Sequence, residues 1–414
     1  MKSLWCAGSS AAGASFANNY VVGSGIAPVI NVNGSILYTS IYLNKSYNGG
    51  VFSRLWCEIS GNTRTSDTLI RFVNNFVVGN QILTIPAGAT GLFTDTTNSD
   101  TVSAGDPYSF GATFPVAGGT IQISQIGGVY DDSSGNYVSK YAGVATAVLN
   151  GGVDVTRFGA LAGVNVSQTS EASQQTMMTT SGTLKNLSGR AYLNSHNTDI
   201  IYRIRINGAD GNCTVTVPAS TTGYYEDVSN SDSVVDGDLV CISGFSGPAT
   251  GTLYFNCGVD FESSTLATVT GNLNATIGGI NPGTNKYYRI NCSGSTNVTQ
   301  AQAQMYCPTA MTIKNARVMS LANTHTATAT WTMQKNGVDT SIVVSIPAAT
   351  TGIFVDSTNS VDVVEGDLLN WRMDMPGAGN ATVFGMSFDA QEPATPPSGS
   401  GIPYASLSLR IGIR

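Results

Sequence analysis

The chain carries little charge. Only 11% of its 414 residues are Asp, Glu, Lys or Arg, whereas ordinary globular proteins contain about 25%. Its 19 basic residues form no cluster, and the formal net charge is −7. Binding to nucleic-acid phosphates or to an anionic membrane surface is therefore disfavoured, and we expect neither as a partner.

Long apolar runs are also missing. No stretch approaches the roughly 18 consecutive apolar residues that a membrane-spanning helix needs. The segment Met1–Cys6 lacks the apolar centre of a signal peptide. If the protein acts outside a cell, we expect it to leave by lysis, by a non-standard route or after processing.

Metal-binding patterns are scarce as well. The chain has seven cysteines, two histidines and no Cys-x-x-Cys pair, so we expect no zinc site and no cofactor. The cysteines fit two interpretations that stay open, which are disulfides within domains and buried small hydrophobic side chains. Because their number is odd, at least one thiol is free or pairs between chains. The candidate pairs are Cys6 with Cys57, Cys241 with Cys257, and Cys292 with Cys307.

Gly, Ser, Thr and Asn take the place of the charged residues. Hydrophobic residues still make up 42% of the chain, which is enough for real cores. This composition is typical of short β-strands joined by tight polar turns, whereas long helices would need more Glu, Lys, Arg and Leu. We therefore expect an all-β fold.

An internal repeat is the strongest signal. One block of sequence occurs three times without a gap, at 85–106, 217–238 and 346–367. Its pattern is apolar-Pro-Ala-x-x-Thr-Gly, then Asp-x-x-Asn-Ser, then Val-x-x-Gly-Asp. The distance from one copy to the next is close to the length of a single β-sandwich domain. This self-similarity predicts three tandem copies of one module.

The repeat marks turn and core positions that every module should share. Asn-Gly pairs at Asn207 and Asn336, with Asn75-Phe76 in the first copy, predict hairpins. The segments beside them alternate with period two, as half-buried strands do. The shared positions are Pro86, Gly91 and Gly105 in the first copy, Pro218, Gly223 and Gly237 in the second, and Pro347, Gly352 and Gly366 in the third.

These signals divide the chain into four segments. We predict β-sandwich modules at 1–132, 133–264 and 265–391, followed by a linker and tail strand at 392–414. The linker is rich in Pro, Ser and Gly, and the alternating tail at 404–414 is suited to adding a strand to a neighbouring sheet. Residues 1–50 show no clear counterpart to the opening strands of the other modules.

The repeated pattern resembles a module common in structural proteins of tailed bacteriophages. Its Gly-Asp-apolar turn is similar to one in complement-type and tumour-necrosis-factor-like jelly rolls, which are usually trimeric. The segments Ser170–Gln175 and Ser181–Leu187 look like the opening of the phage module. The resemblance covers roughly 75 residues of each copy.

The resemblance implies both a fold and a role. The implied fold is three tandem jelly-roll-like β-sandwich domains, and the implied location is the virion surface, outside the cell. The implied role is capsid decoration, fibre or tail appendage, in assembly with other virion proteins or with copies of the chain itself. A homotrimer is favoured, and a pseudo-trimer of three modules within one chain is the alternative.

No catalytic constellation emerges from the sequence. His196 and His325 stand at equivalent positions, upstream of Pro218 and Pro347, and the first copy has Arg64 there. A Ser-His-Asp triad in every module is therefore excluded. We interpret both histidines as polar residues at hairpin tips. The acidic residues recur with the repeat instead of gathering in one unique cleft, so we expect a protein that is not an enzyme.

Calcium is the one metal for which the repeat offers ligands. A hard cation needs several oxygens that converge on one point. The candidates are Asp95, Asn98 and Asp106 in the first copy and Asp227, Asn230 and Asp238 in the second. The third copy breaks the spacing, because Val361-Asp362 stands where the others have Asp100 and Asp232. Asp and Asn also cap turns through their own backbone, which is the role we favour.

Two alternative functions stay open. Loops at one end of each sandwich could bind glycans on a host surface, with exposed aromatic side chains as the contacts. In the aligned pairs Leu92-Phe93, Tyr224-Tyr225 and Ile353-Phe354, we expect at least one residue to lie in the core. The chain could instead be a microbial surface filament in which the C-terminal tail joins the next subunit.

Overall fold

A computed structural model describes residues 2–8, 19–21, 44–113, 118–147, 155–161, 163–166, 169–248, 250–264, 267–272, 286–288, 290, 299–379 and 381–392. Regular structure in these residues is almost entirely β. It includes a single 3-10 turn at Ala172–Gln174 and a short helix α1 at Gln300–Ala303. The all-β prediction is therefore confirmed. Repeat 1, repeat 2 and repeat 3 denote the predicted segments 1–132, 133–264 and 265–391.

Repeat 1 forms two antiparallel sheets. One has the order β1-β9-β4-β7 and the other β2-β8-β5-β6, with β3 beside β8. The strands are β1 (Lys2–Gly8), β2 (Asn19–Val21), β3 (Asn44–Lys45), β4 (Gly50–Asn62), β5 (Thr68–Asn74), β6 (Val77–Ile85), β7 (Gly91–Val102), β8 (Pro107–Thr113) and β9 (Ile121–Asp132).

Repeat 2 has the same two sheets with one extra strand. The strands are β10 (Tyr137–Ala147), β11 (Val155–Gly159), β12 (Gly163–Val166), β13 (Thr176–Met177), β14 (Gly182–Asn194), β15 (Ile200–Ile206), β16 (Ala209–Val217), β17 (Gly223–Val234), β18 (Leu239–Ser246) and β19 (Leu253–Ser263). Their orders are β12-β10-β19-β14-β17 and β11-β18-β15-β16, with β13 beside β18. The additional strand β12 runs parallel to β10.

Repeat 3 follows the same plan. Its strands are β20 (Ala267–Asn272), β21 (Lys286–Tyr288), β22 (Met305–Tyr306), β23 (Met311–Asn323), β24 (Ala329–Lys335), β25 (Val338–Ile346), β26 (Gly352–Val363), β27 (Leu368–Asp374) and β28 (Ala381–Gln391). The sheet orders are β20-β28-β23-β26 and β21-β27-β24-β25, with β22 beside β27.

Successive strands of each repeat pass back and forth between its two sheets. In repeat 1, β4 lies in the first sheet, β5 and β6 in the second, β7 in the first, β8 in the second and β9 in the first. This wrapping is that of a jelly roll. The structure also supplies the opening strand that sequence comparison did not find in repeat 1. Strand β1 pairs with β9 as β10 pairs with β19 and β20 with β28.

Each pair of sheets encloses its own hydrophobic core, and the three cores use different aromatic residues. Repeat 1 stacks Phe52 on Phe72 with ring centroids 4.2 Å apart, and repeat 2 stacks Tyr202 on Phe255 at 4.5 Å. Repeat 3 buries Trp331 and Trp371. The second residue of each predicted aromatic pair packs against these cores, as expected. These residues are Phe93, Tyr225 and Phe354.

The repeated proline begins a tight turn at one end of each sandwich. The amide three residues after Pro86, Pro218 or Pro347 donates to the proline carbonyl at 3.1 to 3.3 Å. An asparagine side chain from the strand that precedes the corner donates to the same carbonyl at 2.9 to 3.1 Å. These asparagines are Asn62, Asn194 and Asn323. The Pro-Ala pattern therefore marks a turn that is fastened to the neighbouring corner.

The turn forces one residue into the left-handed backbone region. This residue is Gly88 in repeat 1 (φ 71°), Ser220 in repeat 2 (φ 54°) and Ala349 in repeat 3 (φ 54°). Only glycine adopts this conformation without strain, so repeats 2 and 3 carry a local conformational penalty that repeat 1 avoids.

We predict that Ala349→Gly stabilises the protein and that Gly88→Ala destabilises it, each by about 1 kcal/mol. A Cβ at residue 88 meets no atom within 4 Å, so backbone strain is the only expected effect there. Urea unfolding of the two variants beside the wild type measures both changes. If both substitutions changed the free energy of unfolding in the same direction, backbone strain at this position would not be the cause.

Candidate functional site

The carboxylates of the predicted calcium ligands accept hydrogen bonds from the turns in which they lie. Oδ1 of Asp95 accepts hydrogen bonds from the backbone amides of Thr97 and Asn98 at 3.1 Å each. The Asn98 side chain donates its Nδ2 to the same carboxylate, at 2.9 Å from Oδ2. Asp227 with Asn230 and Asp356 with Asn359 repeat this arrangement. The Asp-x-x-Asn-Ser pattern is therefore a side-chain-capped bulge.

Hydrogen bonding sets the charge state of these aspartates. Burial alone would raise the pKa of Asp227, but donors from Thr214, Asn230 and Ser229 outweigh it and lower the pKa. The same balance lowers the pKa of Asp95 and Asp356. Each therefore stays ionised and contributes stability above its unfolded-state pKa, and this stability is lost as the pH falls.

The remaining calcium candidates lie at the far end of the same strand. Asp106 accepts a hydrogen bond from the Ser103 amide at 3.0 Å, and Asp238 accepts one from the Val235 amide at 2.8 Å. The extended strand from Asp95 to Val102 alone spans about 23 Å. The candidate ligands are therefore not brought together. Across the described ranges, no group of three or more His, Cys, Asp or Glu residues is placed to hold a metal ion.

A second aspartate on the same strand joins the two sheets of the sandwich in repeats 1 and 2. Oδ1 of Asp232 on β17 accepts a hydrogen bond from the Asn212 amide at 2.6 Å, and Oδ2 accepts one from the Cys213 amide at 3.0 Å. Both amides belong to β16, which lies at the edge of the other sheet. In repeat 1, Asp100 holds the amides of Asn80 and Gln81 in the same way, at 2.6 and 3.2 Å.

This bridge requires a glycine on the opposing strand. A Cβ at Gly79 would lie 2.6 Å from the Asp100 carboxylate, and one at Gly211 would lie 2.6 to 2.8 Å from that of Asp232. Such distances are shorter than any real contact, so the acid and the glycine depend on each other.

Repeat 3 replaces both partners together. Val361 stands at the position of the bridging acid, and Thr340 stands at the position of the glycine. The Thr340 hydroxyl accepts a hydrogen bond from the Ile342 amide at 3.3 Å. The Val361 side chain packs against the core of repeat 3. The sequence shows this paired exchange, but only the structure shows that the threonine hydroxyl gives the Ile342 amide an acceptor.

The two histidines occupy buried corners, so the prediction of hairpin tips is wrong. His196 and His325 are 0% and 1% exposed and lie where the chain passes from one sheet of a repeat to the other. Their backbone carbonyls accept hydrogen bonds from the amides of Ser220 and Ala349, at 2.8 and 3.0 Å. Both of these amides belong to the proline turns. Burial lowers the pKa of His325.

The structure keeps five cysteines as free, buried thiols, namely Cys57, Cys213, Cys241, Cys257 and Cys307. The predicted pair Cys241–Cys257 is not formed. Cys257 lies in the core of repeat 2, whereas the Cys241 sulfur lies 3.7 Å from Glu171 Oε1 outside that core. Cys57 and Cys307 are likewise unpaired here. Cys292 and the side chain of Cys6 lie outside the described residues, as does the predicted tail.

The repeats contact one another through the sheet that contains β4, β14 or β23. From repeat 1, Arg54 forms an ion pair with Glu365 of repeat 3 and donates to the Pro308 carbonyl at 3.2 Å. Trp56 is 0% exposed and belongs to the core cluster of repeat 3, where its ring centroid lies 5.5 Å from that of Tyr306.

Repeat 3 contacts repeat 2 with the same surface. Arg317 on β23 forms an ion pair with Asp236 and donates to the Met178 carbonyl at 3.3 Å. The carboxylate of Asp389 on β28 accepts a hydrogen bond from the Thr179 hydroxyl of repeat 2 and another from Asn315, at 2.6 Å.

Repeat 2 contacts repeat 1 through tyrosines and one ion pair. Glu226 accepts hydrogen bonds from Lys45 at 2.7 Å and from the Tyr47 hydroxyl at 3.0 Å. The hydroxyls of Tyr47 and Tyr224 are 3.3 Å apart. Desolvation at this contact raises the pKa of Tyr224 to about 12.

Asp389 is the one described carboxylate at these contacts whose pKa is raised, to about 6. Burial is the largest cause, and the nearby Asp236 adds to it. Hydrogen bonds from Thr179 and Asn315 and the charge of Arg317 offset only part of the effect. The folded chain therefore binds a proton at this site over a pH range in which the unfolded chain has already lost it.

We predict that replacing Asp232 destabilises repeat 2 and that a second substitution restores part of the loss. Asp232→Val leaves two edge amides without an acceptor, at a cost of about 2 to 4 kcal/mol. Gly211→Thr alone clashes with the carboxylate, whereas the double variant reproduces the Thr340–Val361 pair of repeat 3. Urea unfolding of all four proteins gives the coupling energy, and additive single effects would refute the bridge.

We predict a pH-dependent stabilisation by Asp389→Asn. The pKa of Asp389 is higher in the folded state, so the free energy of unfolding of the wild type falls as the pH rises from about 4 to 6. Asn cannot ionise, so the variant should gain up to about 3 kcal/mol on the wild type between pH 4 and pH 7.

Asp356→Asn in the same repeat is the matched control for that measurement. The pKa of Asp356 is lowered, so this variant should be less stable than the wild type at pH 7, with a difference that shrinks on acidification. Thermal unfolding between pH 3.5 and 7 follows both variants. A pH-independent difference for Asp389→Asn would contradict the assignment.

No protein-family model matches the chain, and no curated protein matches it. No helix in the part of the chain that the structure describes is long and apolar enough to cross a membrane.

Proposed function

We propose that the chain is a non-enzymatic structural protein of the virion surface of a tailed bacteriophage, acting as capsid decoration, fibre or tail appendage. Its work is assembly with other virion proteins and among its own repeats, outside the host cell. The proposal rests on the resemblance of the repeated block and on how the structure uses the residues of that block.

One observation carries the structural role. The polar residues that recur in the repeat hold backbone to backbone. Asp95 and its equivalents cap a bulge, Asp106 and its equivalents close a turn, and Asp100 and Asp232 join sheet edges. A catalytic site needs polar groups directed at a substrate position, whereas these groups point at the chain's own amides.

The buried thiols support the same role. Burial is the largest cause that raises the pKa of Cys257 and Cys307 to about 12. A nucleophilic cysteine needs a lowered pKa and access to substrate. These cysteines act as small hydrophobic side chains in the cores and corners of the sandwiches.

Glycan binding is the alternative, and the described aromatic residues favour it less. A glycan site would gather exposed aromatic rings at one end of a sandwich. The exposed aromatic residues of the described chain are Phe76 at a hairpin tip, Tyr224 at a contact between repeats and Phe245 on β18. They belong to different surfaces. The filament alternative depends on the tail at 404–414, outside the described residues.

Purified virions encoded by the same genome provide the test. Quantitative mass spectrometry should find many copies of the chain per particle, and antibodies against the chain should label intact particles under the electron microscope. Disrupted particles serve as the labelling control. A chain found only in the soluble lysate, or labelled only after disruption, would rule out a surface component.

A further inference from the structure

The three contacts between repeats use equivalent positions. Aligning the repeats on Pro86, Pro218 and Pro347 makes Glu365 of repeat 3 the equivalent of Asp236 of repeat 2. Arg54 of repeat 1 binds the first of these acids, and Arg317 of repeat 3 binds the second. In this alignment, the positions of Arg54 on β4 and Arg317 on β23 differ by two residues.

The loops that receive these arginines are equivalent as well. Arg54 donates to the carbonyl of Pro308, and Arg317 donates to that of Met178, the neighbour of Thr179. Pro308, Thr179 and Tyr47 occupy the same position in their repeats. Tyr47, together with the nearby Lys45, contacts repeat 2, so the same kind of loop lies against the sheet of another repeat at all three contacts.

The order of the contacts closes on itself. The sheet of repeat 1 that contains β4 contacts the Pro308 loop of repeat 3. The equivalent sheet of repeat 3 contacts the Thr179 loop of repeat 2, and that of repeat 2 contacts the Tyr47 loop of repeat 1. A head-to-tail contact that returns to its start after three steps describes a ring with approximate threefold symmetry, and a contact that fails to close would build a filament.

We propose that one chain forms a complete pseudo-threefold ring, and that its contact surfaces take repeats of the same chain as partners instead of a second copy. Every repeat offers one sheet surface and one loop, and all six are occupied within the chain. The protein is therefore a monomer in solution, in which three repeats do the work of three subunits.

The junction between repeats 1 and 3 closes the ring. These repeats are not consecutive in the chain, so no short connection holds them together. Trp56 holds them through packing, because its buried side chain completes the core cluster of repeat 3. The ion pair of Arg54 with Glu365 lies at the rim, with side chains 32% and 40% exposed.

Native mass spectrometry of the purified full chain is the first test, and it is independent of the virion proposal. A mass of 43.0 kDa is expected for the closed ring. A mass of three chains would overturn the proposal and favour a homotrimer, and larger open-ended species would overturn it in favour of a filament.

Junction variants test the closure itself. Hydrogen exchange of the peptide 305–310, which lies on the far side of the junction, is the readout. Trp56→Ala should accelerate its exchange by more than about a hundredfold, and Arg54→Glu by up to about fivefold. The double variant Arg54→Glu, Glu365→Arg should restore protection.

Arg203→Glu is the matched control, since Arg203 pairs with Asp210 inside repeat 2 with comparable exposure. It should leave the 305–310 peptide unchanged. Acceleration confined to repeat 1 in Arg54→Glu, with no change at 305–310 and no rescue by the double variant, would show that the junction does not close the ring. The charge-reversal pair keeps this test valid even if Trp56→Ala fails to fold.

Discussion

Every two-sheet sandwich must satisfy the backbone amides along its open edges, and this constraint shapes much of the repeated block. Unpaired N–H groups at a sheet edge either bind water, recruit another chain or find an internal acceptor. This protein uses carboxylates from the edge strand of one sheet to hold amides at the edge of the other. The two sheets are thereby joined where a sandwich would otherwise be open.

The bridge explains why glycine and aspartate change together. The bridging carboxylate must lie close to two amides, and only glycine on the opposing strand leaves that space. Where repeat 3 has valine instead of the acid, threonine returns a hydroxyl acceptor from its own strand. The amide of Ile342, which is equivalent to that of Cys213, therefore has an acceptor in repeat 3 as well, supplied by a hydroxyl instead of a carboxylate.

The fold could be predicted from the sequence because the three copies of the repeat can be compared with one another. Agreement among three copies showed that the proline, glycine and aspartate positions belong to turns, and alternation with period two located strands β15, β16, β24 and β25. The opening strand β1 escaped detection because an edge strand is constrained on one side only, so little in residues 2–8 had to match the other copies. The histidines were misplaced because a polar residue between two strands suggests a solvent-exposed tip, and burial at a corner between sheets depends on loops far away in sequence.

Contacts between repeats were beyond the reach of sequence comparison for a related physical reason. In a homotrimer, one substitution appears at all three junctions and must suit all of them. In a single chain each junction can differ. Trp56, Ser188 and Arg317 stand at one equivalent position. Trp56 packs against Tyr306, Arg317 pairs with Asp236, and Ser188 shares a hydrogen bond with Tyr47. Aromatic packing joins repeat 1 to repeat 3, an arginine ion pair joins repeat 3 to repeat 2, and a lysine with two tyrosines joins repeat 2 to repeat 1. Because the three junctions differ in chemistry, a surface placed against the loop of another repeat would lose its aromatic packing or its ion pair, which disfavours the exchange of repeats between chains. Differences between the copies at this position therefore help to determine which repeat each surface contacts.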